Sequence, residues 1–265
     1  MQIHNSALVR VPAGLVLKGG GLRKIDVTVR YGLIKTATSD VCLVDTGYGR
    51  SVTDGRERSA ALKAYNFALR PRILDDNVPL PVLSRQGFTA GDVSTIVLTH
   101  FHADHVAGLR DFPKARMLAS RTAVKALQSM GPARAIANGI FTELIPRDLM
   151  GRIAFVEDFP LRSTGTALGD GHDLFGDGSY LSIALPGHAS GHFGVFWRTQ
   201  EGPQLYATDV AWLSEALLKE RPAALATAFV FHDTKAARET RQRVRNFATG
   251  GGTVVLCHDV ENTSP

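Results

Sequence analysis

One six-residue segment, His100-Phe101-His102-Ala103-Asp104-His105, follows directly after the continuous apolar stretch 95–99. The apolar stretch predicts a buried strand, so the segment forms the loop that leaves it. Four of its side chains are of the kinds that bind zinc or iron where no thiolate is present. On such a turn, residues 100 and 102 can point one way and residues 104 and 105 another, so one loop could serve two adjacent metal ions.

Other metal-capable side chains occupy the same kind of position in the chain. Three of them come directly after a predicted strand: His188 after 180–185, Asp209 after 204–208 and His258 after 253–257. Ligands at the ends of neighbouring strands converge on one edge of a sheet, where a rigid metal site can be built. A lone histidine is more often structural, but four coincidences at strand ends favour one shared metal site.

The hydrophobic pattern alternates strand-like and helix-like segments along the chain. Strands are predicted at 7–17, 25–35, 40–45, 95–99, 115–119, 152–157, 180–185, 193–199, 204–208 and 253–257, and helices at 58–69, 79–87, 121–130 and 235–248. The first three strands are expected to pair in an antiparallel manner. This alternation is typical of a layered α/β architecture, interpreted as one domain over residues 1–265.

Composition excludes several classes of protein. The 265 residues include 44% hydrophobic and 21% charged residues and only two cysteines, which argues against disorder and against a disulfide framework. No apolar run approaches the ~20 residues that cross a bilayer, and no secretory signal is visible. We therefore expect a cytoplasmic protein without a membrane partner. The net charge of +5 comes from scattered residues, and the densest basic group is expected to be a solvated helix face: Lys235, Arg238, Arg241, Arg243 and Arg245.

Taken as a set, the metal-capable segments resemble the metallo-β-lactamase superfamily. The pieces are, in the family's order, Asp45-Thr46-Gly47, His100-Phe101-His102-Ala103-Asp104-His105, Pro186-Gly187-His188, Asp209 and His258. They span almost the whole chain. The resemblance implies an αβ/βα sandwich, with two mixed sheets flanked by helices and the metals in a cleft at one edge of the sheets.

The resemblance also implies how the ligands are divided. It assigns the first metal to His100, His102 and His188, and the second to Asp104, His105 and His258, with Asp209 bridging the two. The implied cofactor is a pair of divalent metal ions, zinc before iron, manganese or cobalt, since nitrogen and oxygen ligands suit all four. Cys257 adjoins His258 but lies on the predicted strand, so it is interpreted as a core residue.

Within the superfamily the chain is similar to the N-acyl homoserine lactonases, which degrade quorum signals. The similar pieces are Tyr31-Gly32-Leu33-Ile34, Val44-Asp45-Thr46-Gly47, Phe112-Pro113-Lys114-Ala115, Leu174-Phe175-Gly176-Asp177-Gly178, Pro186 to His192, and the late run through Arg241, Phe247 and His258-Asp259. These lactonases carry a tyrosine three residues after the bridging aspartate, where this chain has Trp212. An indole donates one hydrogen bond but does not titrate as a phenol does. In the cleft Trp212 would favour an acyl chain or aromatic ring; the alternative is simple packing.

The implied mechanism uses a hydroxide that bridges the two ions as nucleophile. Asp104 would carry a proton to the leaving group, which makes it the candidate catalytic residue. Asp45 would orient a ligand or water, and the alternative is a strand-end cap. The resemblance gives His192 no ligand role, so it is interpreted as structural or cleft-lining. His172 and His232 are interpreted as surface or core residues.

Several functions fit this residue set. The first is a hydrolase that opens lactones or related esters; the alternatives are phosphotriester, phosphodiester or thioester hydrolysis on the same site, and a mononuclear iron dioxygenase. Only 20 residues separate His188 from Asp209, too few for an inserted nucleic-acid-binding domain. The expected partner is therefore a small-molecule substrate rather than a nucleic acid, and a homodimer is one expected assembly.

Overall fold

The computed structural model describes residues 1–36, 40–219 and 232–260 of the chain. It contains two compact units, which we call unit 1 and unit 2. Unit 1 comprises Met1–Arg10, Asp26–Ala119 and Lys125–Ala154. Unit 2 comprises Val11–Ile25, Ser120–Val124 and Phe155–Pro265. The interpretation of the chain as one domain stays a prediction.

Nearly all of a seven-stranded sheet, sheet 1, belongs to unit 1. Its strands are β1 Gln2–Pro12, β2 Lys24–Lys35, β3 Val41–Val44, β4 Arg72–Ile73, β5 Val93–Leu98, β6 Arg116–Ala119 and β7 Ile153–Phe155, in the order β4-β1-β2-β3-β5-β6-β7. The sheet is mixed, because β2 and β3 pair antiparallel as predicted, whereas β3, β5 and β6 run parallel. All four residues of β3 are buried, as is usual for a strand inside a parallel region.

The first predicted strand was placed five residues too late. Strand β1 covers Gln2–Pro12 rather than 7–17. Residues Ala13–Val16 form a short helix, α1. The glycines at 19 and 21 after it adopt positive φ angles of 78° and 71°. The apolar side chains of α1 imitate the continuation of a strand in the sequence, which explains the error.

The predicted helices of unit 1 are confirmed with small shifts at their ends. The three that were predicted are α3 Ala60–Leu69, α4 Pro79–Arg85 and α6 Arg121–Ser129, the last of which is divided between the units. Four short helices were not predicted: α2 Arg50–Thr53, α5 Ala103–Val106, α7 Pro132–Ala137 and α8 Leu149–Arg152. Helix α3 begins where the Ser59 hydroxyl accepts a hydrogen bond from the Leu62 amide. Helix α4 begins at Pro79, which suits a first helical position because its missing N–H would have no helical partner.

Unit 2 holds the six-stranded sheet 2. Its strands are β8 Leu161–Ser163, β9 Asp170–Asp173, β10 Tyr180–Ala184, β11 Phe193–Thr199, β12 Gly202–Thr208 and β13 Thr253–Leu256, in the order β13-β12-β11-β10-β9-β8. Only β12 and β13 pair in parallel, so this sheet is mixed as well. Strands β8 and β9 were missed, because β8 is exposed throughout and β9 reads Asp-Gly-His-Asp, without an apolar pattern.

Helix α10, Thr234–Thr249, packs on the core of unit 2, and α9 spans Ser214–Leu218. The helix α10 begins at Asp233, whose carboxylate accepts hydrogen bonds from the amides of Lys235 and Ala236. Its predicted apolar face is confirmed: Ala237, Thr240, Val244 and Phe247 are all buried. These side chains recur every three or four residues, which places them on one side of a helix.

The basic group on α10 was expected to be a solvated face, and this is wrong for part of it. Arg243 donates to the Ala184 carbonyl and Arg245 to the Leu217 carbonyl, and both side chains are half-buried. Burial lowers the pKa of Arg243. Burial also lowers the pKa of Arg241, and neighbouring Arg238 adds to that effect. The long stems of arginine allow such packing while the guanidinium reaches a carbonyl.

Two mixed β-sheets accompanied by helices confirm the predicted fold class. Among the described residues, no helix combines the length and the apolar character that a membrane span requires.

Candidate metal centre

Four side chains that follow β5 in unit 1 form what we call the first ligand cluster: His100 and His102 in the loop before α5, and Asp104 and His105 in α5 itself. The ring centroid of His100 lies 4.0 Å from that of His105 and 4.5 Å from that of His102. His100 and His105 are at most 1% exposed. The sequence predicted one loop for all four residues, which is wrong for Asp104 and His105 because they lie in α5, but the structure does gather the imidazoles into one compact group.

Asp45 supports this cluster from the end of β3. Its carboxylate accepts hydrogen bonds from the Thr99 amide at 2.9 Å and the Thr99 hydroxyl at 2.8 Å, and it meets His105 Nδ1 at 2.7 Å. Because an ionised carboxylate only accepts, Nδ1 carries the hydrogen and the lone pair of His105 lies on Nε2. This is the geometry expected of a residue that orients a ligand.

The position of Asp45 is electrostatically and conformationally costly. Asp45 is fully buried, and burial raises the pKa of its carboxyl, while His105 and the Thr99 donors offset part of that rise. Its φ angle is 59°, a left-handed conformation that costs of order 1–3 kcal/mol for a residue other than glycine. Such strain persists only where the surrounding contacts fix the backbone, and it is common at functional sites.

Unit 2 carries His188, Asp209 and His258, which we call the second ligand cluster. Each follows a strand, as the sequence predicted: β10, β12 and β13 respectively. The Oδ2 atom of Asp209 lies 3.1 Å from His188 Nε2 and 3.6 Å from His258 Nε2. Asp209 and His188 are at most 3% exposed. One buried carboxylate thus meets two imidazoles.

Close approach of backbone elements holds the loop of His188 in place. Gly187 has a φ of 126°, and a Cβ atom there would lie 2.2 Å from the amide nitrogen of Ala237 on α10. The carbonyls of Gly187 and His188 accept hydrogen bonds from the amides of Asp233 and His232. Only glycine fits this position, so the start of α10 can lie directly against the ligand loop.

The donor atoms within each cluster fit a divalent ion. Ligands at 2.0–2.2 Å around a tetrahedral ion lie about 3.3 to 3.6 Å from each other. The distances from Asp209 Oδ2 to the two imidazoles, 3.1 and 3.6 Å, are close to that range. So is the 3.6 Å between His105 Nε2 and Asp104 Oδ2. Nitrogen and oxygen donors of this kind suit zinc, iron, manganese and cobalt.

The remaining predicted residues lie in different surroundings. Trp212 is half-buried, four residues past Thr208, the last residue of β12. Cys257 is fully buried, as expected of a core residue, but its sulfur also lies within 4.8 Å of a ring nitrogen of His258. His172 Nδ1 meets the Phe159 carbonyl at 2.8 Å, which is a structural contact. The ligand and catalytic roles of the candidate residues stay predictions.

Sequence reasoning missed Thr99 and Thr208, because neither has metal-binding chemistry. Thr99 joins Asp45 to the cluster, and its hydroxyl also lies 3.2 Å from His100 Nδ1. Thr208 ends β12 with a φ of 48°, a second left-handed residue other than glycine. Their position directly before a candidate ligand was the only available signal.

Known proteins resemble the chain over most of its length. A 29% identical relative is the N-acyl homoserine lactonase AiiB of Agrobacterium fabrum, matched over 246 residues, 90% of this chain and 82% of AiiB. The chain spans about a third of the first curated relatives that it matches, two mycobacterial probable metallo-hydrolases that are 31% identical over 104 residues.

Several solved structures have a fold similar to that of this chain. An N-acyl homoserine lactone hydrolase with N-hexanoyl-L-homoserine at its catalytic metal centre matches with a TM-score of 0.73, 19% identity and coverage of 98% of this chain and 92% of that chain. AidC, a dizinc quorum-quenching lactonase, matches with a TM-score of 0.66, 18% identity and coverage of 98% and 87%. At these low sequence identities, the structural similarity is evidence for the fold alone.

The family model of the metallo-beta-lactamase superfamily matches residues 26–256, a range that holds every residue of both ligand clusters except His258, which lies two residues beyond it. This match covers well over half of the chain and agrees with the two mixed sheets and with the strand-end positions of the histidines and aspartates. The chain therefore belongs to the metallo-beta-lactamase superfamily.

Proposed function

We propose that the chain is a metal-dependent hydrolase that opens lactones or related carboxylic esters, N-acyl homoserine lactones among them. The observation that carries this proposal is the pairing of buried imidazoles with buried carboxylates in both ligand clusters. The lactonases among the relatives and the structural neighbours support the substrate class.

The two ligand clusters would together hold two divalent ions, zinc before the other candidates. His100, His102 and His188 would bind the first ion, and Asp104, His105 and His258 the second, with Asp209 as the shared ligand. The dizinc lactonase AidC supports this number and this metal. Seven ligands that include two carboxylates would leave the pair of ions with a net positive charge, which favours an anionic transition state.

When bound, two divalent ions would supply a water-derived nucleophile at neutral pH and Lewis-acid polarisation of the substrate carbonyl. The protein's residues orient and assist this chemistry. Asp45 fixes the hydrogen of His105 on Nδ1 and thereby presents Nε2. Asp104 is buried, at 8% exposure, and its carboxylate would take the proton of the attacking nucleophile and pass it to the leaving alkoxide.

Trp212 would set the preference among lactones. Its indole is half-buried and presents a large apolar surface with one N–H donor. Such a surface favours substrates with an acyl chain or an aromatic ring next to the ester. The substrate is then a small molecule, and neither a nucleic acid nor a membrane is needed as a partner.

The test is a substrate panel on protein of measured metal content. Proton release is followed with homoserine lactones of graded acyl length, with paraoxon-type and bis-nitrophenyl phosphate esters, and with a thioester. We expect lactone opening to be fastest, with two equivalents of metal per chain. The matched control is His172→Ala, which removes a histidine from outside both clusters and is expected to leave the rates unchanged.

Other outcomes of the panel would replace the proposal. Turnover of phosphoesters or thioesters without lactone opening would assign those substrates instead. One iron per chain together with oxygen consumption would assign a dioxygenase.

A further inference from the structure

The proposed mechanism gives no role to one buried histidine near the second ligand cluster. His192 is 1% exposed and lies directly before β11, the strand between β10 and β12 in sheet 2. Its Nδ1 lies 2.7 Å from the Leu185 carbonyl, and its Nε2 contacts the Thr208 hydroxyl. Because a carbonyl only accepts, Nδ1 carries the hydrogen, and the Thr208 hydroxyl donates to Nε2.

These two contacts reach the ends of the two strands that lead to the second ligand cluster. Leu185 begins the loop Leu185-Pro186-Gly187-His188, and its amide also donates to the His192 carbonyl at 3.0 Å. Thr208 directly precedes Asp209. One imidazole therefore joins the strand end that carries His188 to the strand end that carries Asp209.

Thr208 also contacts the strand end that carries His258, the third member of the second ligand cluster. Its carbonyl accepts a hydrogen bond of 2.9 Å from the amide of Cys257, the residue before His258. The pairing of β12 with β13 shifts register between Tyr206 and Thr208, so Thr208 lies opposite Leu256 directly after an irregularity of the ladder. Its φ of 48° is unusual for a β-branched residue and persists only under constraint from its neighbours.

We propose that His192 is a positioning residue that holds Thr208 in its left-handed conformation and thereby sets the distance between the Asp209 carboxylate and the His188 imidazole. That distance, 3.1 Å, decides whether the two side chains can share one ion. The inference rests on the proposed function, because it concerns the geometry of a metal ligand. It predicts that the hydroxyl of Thr208 matters more for metal affinity than for folding.

The test compares Thr208→Val with Thr208→Ser. Valine has the shape of threonine but no hydroxyl, whereas serine keeps the donor to His192 Nε2. We expect Thr208→Val to raise the metal dissociation constant by about 10- to 100-fold, the range for residues that support a ligand, and Thr208→Ser to restore most of the affinity. Affinity is measured by competition with a chelator, and the absorption spectrum of the cobalt-substituted protein reports the coordination.

The matched control is a histidine with the same kind of carbonyl contact. His172 Nδ1 lies 2.8 Å from the Phe159 carbonyl in the same unit. His172→Phe should lower the unfolding midpoint without changing metal affinity or the cobalt spectrum, whereas His192→Phe should change all three. Combining His192→Phe with Thr208→Val should cost little more affinity than His192→Phe alone, because both changes remove one interaction.

The outcomes separate the two proposals. Wild-type metal affinity and an unchanged cobalt spectrum in Thr208→Val would overturn the positioning role alone, provided that the unchanged chain binds two ions. Absence of metal binding by the unchanged chain would overturn the proposed function and the positioning role with it. Should His192→Phe fail to fold, the valine and serine variants of Thr208 still decide between the outcomes.

Discussion

The two ligand clusters are built in different ways. The first comes from one segment of six residues, the loop after β5 and the start of α5, so its members are neighbours in the sequence, and a carboxylate, Asp45, orients it. The second comes from three strand ends spread between His188 and His258, and an imidazole, His192, joins two of them. Each cluster stands beside one left-handed residue other than glycine, Asp45 in unit 1 and Thr208 in unit 2. A local cluster needs only its loop, whereas a dispersed cluster depends on the register of a whole sheet.

This difference in construction determines which backbone changes each cluster tolerates. Errors in the pairing of β10 to β13 would separate His188, Asp209 and His258, because each lies on a different strand end. The first cluster would survive such errors, since its loop is fixed by the ends of β3 and β5. We therefore expect the second cluster to be the more sensitive to changes of backbone conformation.

The largest effect is expected from removing one ligand of each cluster. Asp209→Ala and His105→Ala should each lower turnover by more than ~100-fold, beyond the usual loss for residues that only support a ligand. Asp209→Ala should lose more, because its carboxylate meets two imidazoles. Rates are measured against the His172→Ala control. Turnover like that of the unchanged chain in either variant would refute the ligand role of that residue.

The next effect concerns the glycines beside the clusters. A Cβ at Gly187 would lie 2.2 Å from the Ala237 amide nitrogen, whereas one at Gly47 would lie 2.2 Å from the Ser6 hydroxyl oxygen. The Ser6 Cβ atom would also lie 2.7 Å from the one at Gly47, so the serine must shift as a whole, but one serine shifts more easily than a helix backbone does. Gly187→Ala should lower the free energy of unfolding by about 2 to 4 kcal/mol, and Gly47→Ala by less. Denaturant unfolding measures both, and the reverse order would contradict the greater sensitivity of the second cluster.

A smaller effect is expected from Asp45→Asn. The amide keeps the size of the side chain but can no longer accept hydrogen bonds at both oxygen positions, so the hold on His105 weakens. Metal affinity should fall by about 10- to 100-fold. Competition with a chelator measures it, and the matched control is Asp26→Asn, which changes a half-buried aspartate that pairs with Arg10 outside both clusters. An unchanged metal affinity would show that Asp45 caps the end of β3 and does not orient His105 as a ligand.

The smallest effect is expected at two helix starts, one in each unit. Ser59→Ala at α3 and Asp233→Ala at α10 should each lower the free energy of unfolding by about 1 kcal/mol. Asp233 should matter more, because its carboxylate accepts from two amides and its charge favours a helix N-terminus. Thermal unfolding of the two variants measures the difference, and a larger loss for Ser59→Ala would contradict it.

The sequence was most informative where a pattern is local. The helix α10 and its buried face follow from the spacing of Ala237, Thr240, Val244 and Phe247, and the first ligand cluster follows from six consecutive residues. The exposed edge strand β8 and its polar neighbour β9 escaped prediction, because neither has an apolar alternation in its sequence. Thr208 and its contact with His192 also escaped, because they depend on which strand ends lie side by side.

The central claim is that the two ligand clusters together hold two divalent ions, and elemental analysis tests it most directly. The unchanged chain and Asp209→Ala are purified without chelators, dialysed against metal-free buffer and analysed for zinc, iron, manganese and cobalt. We predict two equivalents of divalent metal per unchanged chain and fewer than two for Asp209→Ala. An unchanged chain that retains no metal, and takes up none when zinc is added, would contradict the claim.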